Sequence, residues 1–486
     1  MAAFRAHEAH DSATHRQGKT APFLATYVGL ALCVAVPLVV VEATESAAPI
    51  QSWPWAIVSM VISGARFTWI IGSATRRLYE LMTWLFFYIF LGLAPLVQLR
   101  LATDPGTTPN LLHQYDGTAW AIVLASEVCL IAGSSFGKRN ASREIHEPRR
   151  RLSGSRATSV SMLLLLLSAA YIGLIGASNL LVNREARNLA TESAVSDEAL
   201  RTLLIAFVTV GLLVAVVSQY ELFRRRRAAG VKAPIMLASG STAILILLVN
   251  PFASARFILA VAILGLLAAG GFFRSMGRYR IAAVASVVGL VTVFPILDSF
   301  RRESSVLEQS NPLEDLLSGD FDGFGQIVNT AWSVDTFGLT WGLQLLGVAL
   351  FFVPRALWPT KPVDTGILLA EQKGYVFQNL SAPLPAEAFI NFGWPGVIIA
   401  MLAIGIVLRR ADERNEAQMR VWGAPTVLGS VIPFYLIFLW RGSLLQAVAN
   451  LAVIMLVWWL CTESTSRRSP SAASRRSGAR PAPLLR

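Results

Sequence analysis

The chain has 486 residues, 54% of them hydrophobic and only 15% charged, with a mean hydropathy of +0.54. Soluble domains carry about 25% charged residues, so an ordinary soluble protein is excluded, and the apolar content excludes a disordered one. The net charge of +12 is large enough for a nucleic-acid binder. Most Lys and Arg, however, lie in short connections between apolar runs, where they set membrane orientation. The expected partner is the bilayer, with no nucleic acid.

In chain order, residues 1–21 read as a cytoplasmic tail, because His7, His10, Asp11 and Arg16 make it too long and mixed for a tidy signal peptide. Apolar windows long enough to cross the ~30 Å hydrocarbon core follow near 22–42, 53–72, 78–99, 117–136, 159–182, 201–222, 233–250, 256–273 and 280–297. Residues 22–297 therefore predict a nine-span bundle. A large outer loop covers 298–385, and three C-terminal spans cover 386–461, near 386–408, 423–440 and 443–461. The Ser/Arg/Pro/Ala-rich stretch 462–486 reads as a disordered basic cytoplasmic tail.

One apolar stretch, 337–354, is ambiguous. A simple crossing there would put Arg409, Arg410, Arg414, Arg420 and the Arg-rich tail outside, against the positive-inside rule. The stretch is therefore expected to re-enter or to lie against the bundle. The fold class is all-α: a polytopic membrane protein of about twelve transmembrane helices, with both ends cytoplasmic.

Cys33, Cys129 and Cys461 all fall inside apolar runs, which argues against disulfides and Cys-ligated metal. His7, His10, His15 and His146 are cytoplasmic and His113 stands alone in an outer loop, so the histidines build no metal site. No cofactor is expected. Two charges lie inside spans, Arg66 and Glu127, and are expected to be a structural pair.

The chemistry is expected on the outer face. Arg256, Arg301, Arg302, Arg355, Lys361 and Arg441 sit at outer helix ends or in outer loops, the side where basic residues are scarce. Guanidinium groups grip phosphate oxygens through planar, charge-assisted hydrogen bonds, so an anionic substrate is one reason to keep them there. The structural alternative for each is snorkelling to headgroups.

Around them run the acids Asp298, Glu303, Glu308, Glu314, Asp315, Asp320, Asp322 and Asp335, with Gly319-Asp320-Phe321-Asp322 at the centre. Asp320 or Asp322 suits the N-cap of a helix running through Gln326 and Thr330, or else a general base. Glu387 and Asn391, spaced i,i+4, share one helix face. Gly393 and Pro395 are expected to break that helix nearby.

Four stretches together resemble the oligosaccharide repeat-unit polymerases, the Wzy-like O-antigen and capsule polymerases. They are Gly319-Asp320-Phe321-Asp322; Trp341 to Gly347 leading into Phe351 to Pro362; Glu387 to Gly393; and Trp440-Arg441-Gly442-Ser443-Leu444-Leu445. The likeness covers about 298–445, in order. Trp440 and Ser443 depart from the aliphatic and acidic residues of many relatives.

The resemblance implies a multi-pass protein of the plasma (inner) membrane. It would transfer a growing glycan from undecaprenyl diphosphate to the next undecaprenyl-diphosphate-linked oligosaccharide, with a flippase and a chain-length regulator as protein partners. Asp320, Asp322 and Glu387 would then be the catalytic carboxylates. Arg256, Arg301, Arg302, Arg355, Lys361 and Arg441 would bind diphosphate, and Asn391 and Trp358 would bind sugar. The alternatives are an O-antigen ligase, disfavoured because 298–385 has no histidine; a polyprenyl-phosphate-dependent glycosyltransferase; and a lipid-linked oligosaccharide flippase or other transporter, which would carry charge through the bundle interior.

Overall fold

The computed structural model describes residues 22–44, 48–137, 150–232, 235–289 and 312–464. The tail 1–21, most of 462–486, the second half of the expected span 280–297, and Arg301 and Arg302 lie outside the described residues. The chain is an all-α membrane protein. Among the described residues, eight helices are long and apolar enough to cross a bilayer. They are α1 (Pro22–Ala43), α2 (Pro54–Gly72), α3 (Leu78–Arg100), α4 (His113–Phe136), α5 (Gly154–Ile175), α7 (Glu198–Ala228), α14 (Leu384–Trp422) and α16 (Leu444–Cys461).

Shorter apolar helices α8 (Met236–Leu248), α9 (Arg256–Ala269) and α15 (Val427–Arg441) fall where spans were expected. The helix α10 (Met276–Val288) begins the ninth expected window. The amphipathic α6 (Arg184–Ala194), capped by the Asn183 side chain, is an element that apolar windows could not reveal.

Helix α3 is the axis of the fold, with its whole apolar window buried inside the protein. It packs against α2, α14 and α15. Its first turn is held by a residue far along the chain: both carboxylate oxygens of Asp412, on α14, accept the backbone N–H groups of Tyr79 and Glu80 at 2.9 Å. Two of the orphan donors of a helix N-terminus are thereby satisfied inside the bundle.

The expected Arg66–Glu127 pair does not form. Arg66 bonds Glu80 (2.8 Å) and Ser134 (2.5 Å), while Glu127 accepts from Ser59 at 3.0 Å. Spacing along two helices did not reveal that Arg66 faces the start of α3 rather than the middle of α4.

Helices α4 and α14 make the most extensive contact in the bundle. A Cβ on Gly133 would stand 2.2 Å from Leu402 O, and one on Gly405 would stand 2.5 Å from Leu130 O. The backbones touch, as small residues allow in a membrane. Gly405→Val is therefore expected to cut the yield of monodisperse, detergent-extracted protein severalfold. Unchanged yield and thermal midpoint would contradict this packing.

The stretch 337–354 holds no helix long enough to cross a bilayer. It holds only the seven-residue α12 (Leu343–Ala349), about 10 Å long at 1.5 Å per residue. Positive φ at Gly338, Trp341 and Gly342 interrupts the chain before it. The short helix lies against α14 and α16.

As expected, α14 breaks at Gly393, whose φ 60, ψ −146 is a conformation open to glycine alone. At the other end of the bundle, β1 (Arg150–Leu152) pairs antiparallel with β2 (Thr462–Ser464) and ties the start of α5 to the end of α16.

Candidate functional site at the helix ends

The Gly319–Phe321 turn is seated on α3. Phe321 is buried and stacks on Phe90 with ring centroids 5.1 Å apart, while Gln98 Nε2 donates to Leu316 O (2.8 Å) and Phe321 O (3.0 Å). Glycine is required at 319, because a Cβ there would stand 2.3 Å from Thr107. With Phe321 anchored inward, the aspartates on either side turn toward the helix ends.

Two of the expected cations meet them. Arg256, the first residue of α9, forms an ion pair with Asp320. A cation in the first turn opposes the helix dipole, and the aspartate offsets that cost. Arg441, the last residue of α15, donates from Nε to Asp320 O (2.7 Å) and from Nη2 to Gly319 O (3.0 Å). Its Nη2 lies 3.6 Å from the Asp320 carboxylate and 3.7 Å from that of Asp322, and its guanidinium sits over the Phe257 ring.

Asp322 occupies the N-cap position of α11 (Gly323–Phe337), but its side chain caps nothing. One oxygen accepts the Ser381 N–H at 3.2 Å; the other is buried without a hydrogen-bond partner. Burial pushes this carboxyl above the usual range, against the pull of Arg441. Asp320 is different: its side chain keeps 25% of its surface exposed, against 1% for Asp322.

Glu387 lies on the same scaffold. Ala382 N donates to Arg441 O, and Glu387 follows in the first turns of α14. Its carboxylate accepts from Thr365 Oγ1 (2.8 Å), Leu444 N (2.9 Å) and Ser443 Oγ (3.3 Å), and so meets the N-terminus of α16.

Beside it stands Asp364, the N-cap of α13 (Thr365–Lys373), which accepts from Gly366 N at 2.9 Å. Its second oxygen is buried and unpartnered, and burial raises its pKa. Asp364 was not singled out from sequence, although Asp364-Thr365-Gly366 carries an ordinary helix-start pattern. Ser381 and Gln326 were also missed. Gln326 follows Asp322 by one turn on a buried polar face continued by Asn329 and Ser333, and its amide has no partner.

Of the remaining expected residues, Asn391 touches this group only through the Glu387 backbone carbonyl, and Arg355, Lys361 and Trp358 make no described contact with it. Asn391 is buried, with its amide spent between Glu387 O, Thr340 Oγ1 and Leu345 N, where it fastens the approach to α12 onto α14. The polar contacts of Arg355 and Lys361 stay in their own loop: Arg355 donates to Lys361 O (2.8 Å), and Lys361 Nζ donates to Phe351 O (2.6 Å) and Val353 O (3.0 Å). Trp358 is half-buried in that loop. No protein-family model matches the chain, and no similar curated protein or solved structure was found.

Proposed function

We propose that the protein is an oligosaccharide repeat-unit polymerase acting on undecaprenyl-diphosphate-linked glycans at the outer leaflet of the plasma membrane. One observation carries this reading. Arg256 and Arg441, from two different helices, close on Asp320 beside Asp322, with Glu387 on the adjoining segment. Paired guanidiniums with a carboxylate at the membrane surface suit the transfer of a glycosyl group away from a diphosphate.

In that reaction the acceptor hydroxyl oxygen bonds to the anomeric carbon. The bond from that carbon to the diphosphate oxygen breaks, and undecaprenyl diphosphate leaves with the electron pair. Diphosphate is a good leaving group, so fixed positive charge helps more than a general acid. Arg256 and Arg441 supply that charge. Of the three candidate carboxylates, Asp320 alone reaches the open side of the cluster, and it takes the proton of the acceptor hydroxyl. Purified protein given the cell's own lipid-linked repeat units should produce a ladder of glycans with release of undecaprenyl diphosphate. Absence of both products would overturn the proposal.

This reading needs the cluster outside and both chain ends in the cytoplasm, with twelve crossings. Support comes from the positive-inside rule: the run Arg224–Arg227 lies at the opposite end of the bundle from Arg256 and Arg441. In a background without native cysteines, Val376→Cys should react with an impermeant reagent in intact cells. Val231→Cys should react only after permeabilisation. Both positions are exposed. Labelling of both from one side would reject the topology.

A further inference from the structure

The segment 341–361 is inside out for a loop in water. On α12, Leu343 and Leu346 share one face at i,i+3 spacing and are exposed, while the polar Gln344 is buried. Trp341, Phe352 and Leu357 are 76%, 67% and 80% exposed. Large apolar side chains gathered on the outside of one segment mark a surface that something covers.

The backbone of the same segment is self-contained. The amides of Val353, Leu357, Trp358 and Lys361 close turns within it, and Pro354 and Pro359 have no N–H to satisfy. Lys361 Nζ donates to Phe351 O (2.6 Å) and Val353 O (3.0 Å), and Arg355 donates to Lys361 O (2.8 Å). In water this pairing gains little, because water serves carbonyls and cations equally well. Away from bulk water, irregular backbone has to be satisfied from within the protein.

The anchor points set the depth. Thr340 N donates to Ile390 O (2.9 Å) and Leu345 N to Asn391 Oδ1 (3.3 Å). These acceptors lie roughly 10 Å along the axis from the start of α14 at Leu384. From Pro385 to Asn391 that helix is buried by protein. Phe392 is its first exposed side chain, followed by Trp394, Ile398 and Ile399. This row is the face that a membrane-crossing helix turns to lipid, and Trp394 stands near its start, as tryptophans do at membrane interfaces. Gly342 lies against the Phe392 ring, where a Cβ would stand 2.8 Å from it. The exposed apolar face of 341–361 thus begins where the lipid-facing row of α14 begins.

We infer that residues 341–361 form a membrane-interface element at the end of the bundle that carries the candidate site. Trp341, Leu343, Leu346, Phe352 and Leu357 dip into the boundary between headgroups and acyl chains, and the occupant of this face is bilayer lipid. Arg355 and Lys361 close the carbonyls of a loop that water does not fully serve. The inference is independent of the reaction proposed above.

The test places one nitroxide-labelled cysteine at a time in a background without native cysteines, in phosphatidylcholine nanodiscs. Trp341→Cys, Phe352→Cys and Leu357→Cys report on the element. Ile399→Cys reports on the lipid-facing row of α14, and Glu371→Cys, exposed on α13, reports on water. Spin relaxation by oxygen, which concentrates in lipid, is compared with relaxation by a water-soluble nickel chelate. The element's labels should follow Ile399, with oxygen the stronger relaxant by severalfold, while nickel dominates at Glu371.

Nickel dominating at Phe352 and Leu357 as it does at Glu371 would overturn the inference and leave an aqueous loop. Weak relaxation by both reagents would overturn it as well, because a protein surface would then cover the face. The substituted side chains are exposed and lose little packing, and failure of one variant to fold leaves the other two as reporters.

Discussion

Arg441→Ala is expected to slow repeat-unit transfer about a hundredfold, the scale of losing one preorganised transition-state contact, on the order of 3 kcal/mol. Among the described residues, Arg441 alone has a side chain that bonds the Gly319–Asp320 backbone while facing both the Asp320 and Asp322 carboxylates. Its removal takes away charge and shifts the turn that carries the carboxylates. Arg441→Lys keeps the charge, but one ammonium cannot reproduce two donors in a planar fork, so it should lie between alanine and wild type. Arg355→Ala, in an exposed loop and bonded only to Lys361 O, should change the rate far less. Ladder formation per amount of folded protein is the measurement. Full activity in Arg441→Ala would return this arginine to a purely structural role.

The second large effect concerns stability. Asp412→Ala removes a buried carboxylate that holds two backbone N–H groups at 2.9 Å each, leaving both donors unpaired within the bundle. A buried donor left unsatisfied costs about 1–3 kcal/mol, so losing the partner of two should cost about 2 kcal/mol or more. The variant should show a clearly lowered thermal midpoint in detergent, or fail to accumulate. Asp412→Asn keeps one carbonyl acceptor and should fall between the two. An unchanged midpoint in Asp412→Ala would mean that α3 does not depend on this cap.

Much of the architecture was legible because hydropathy is a local property. Windows of about twenty residues located the eight long apolar helices, and Gly393 with Pro395 announced the break in α14. Arg256, Arg441, Asp320, Asp322 and Glu387 all stood among the larger group picked out from the sequence, because charge is rare in so apolar a chain and therefore visible. Which cations converge was not legible. Arg355 and Lys361 resembled Arg441 in every sequence property, yet their donors are absorbed by nearby carbonyls, a matter of how the 351–361 loop folds on itself. Asp364, Ser381 and Gln326 escaped notice because each is ordinary in its own segment and becomes unusual only when α11, α13 and α14 bury it beside the others. The Arg66–Glu80 and Asp412–α3 contacts were hidden for the same reason: the partners' facing directions are set by tertiary packing.

The position of Asp412 also bears on how the molecule is made. The cap joins Glu80 to a residue 332 positions later in the chain. At synthesis rates of about 5–20 residues per second, helix α3 waits roughly 15–70 seconds for its carboxylate partner. Gln98, on the same helix, waits for the Leu316–Phe321 turn in the same way. Throughout that interval the helix destined to be shielded on every side exposes polar groups to lipid or to whatever holds it at the insertion site. The buried polar contacts of this helix therefore form only after the later part of the chain has been made.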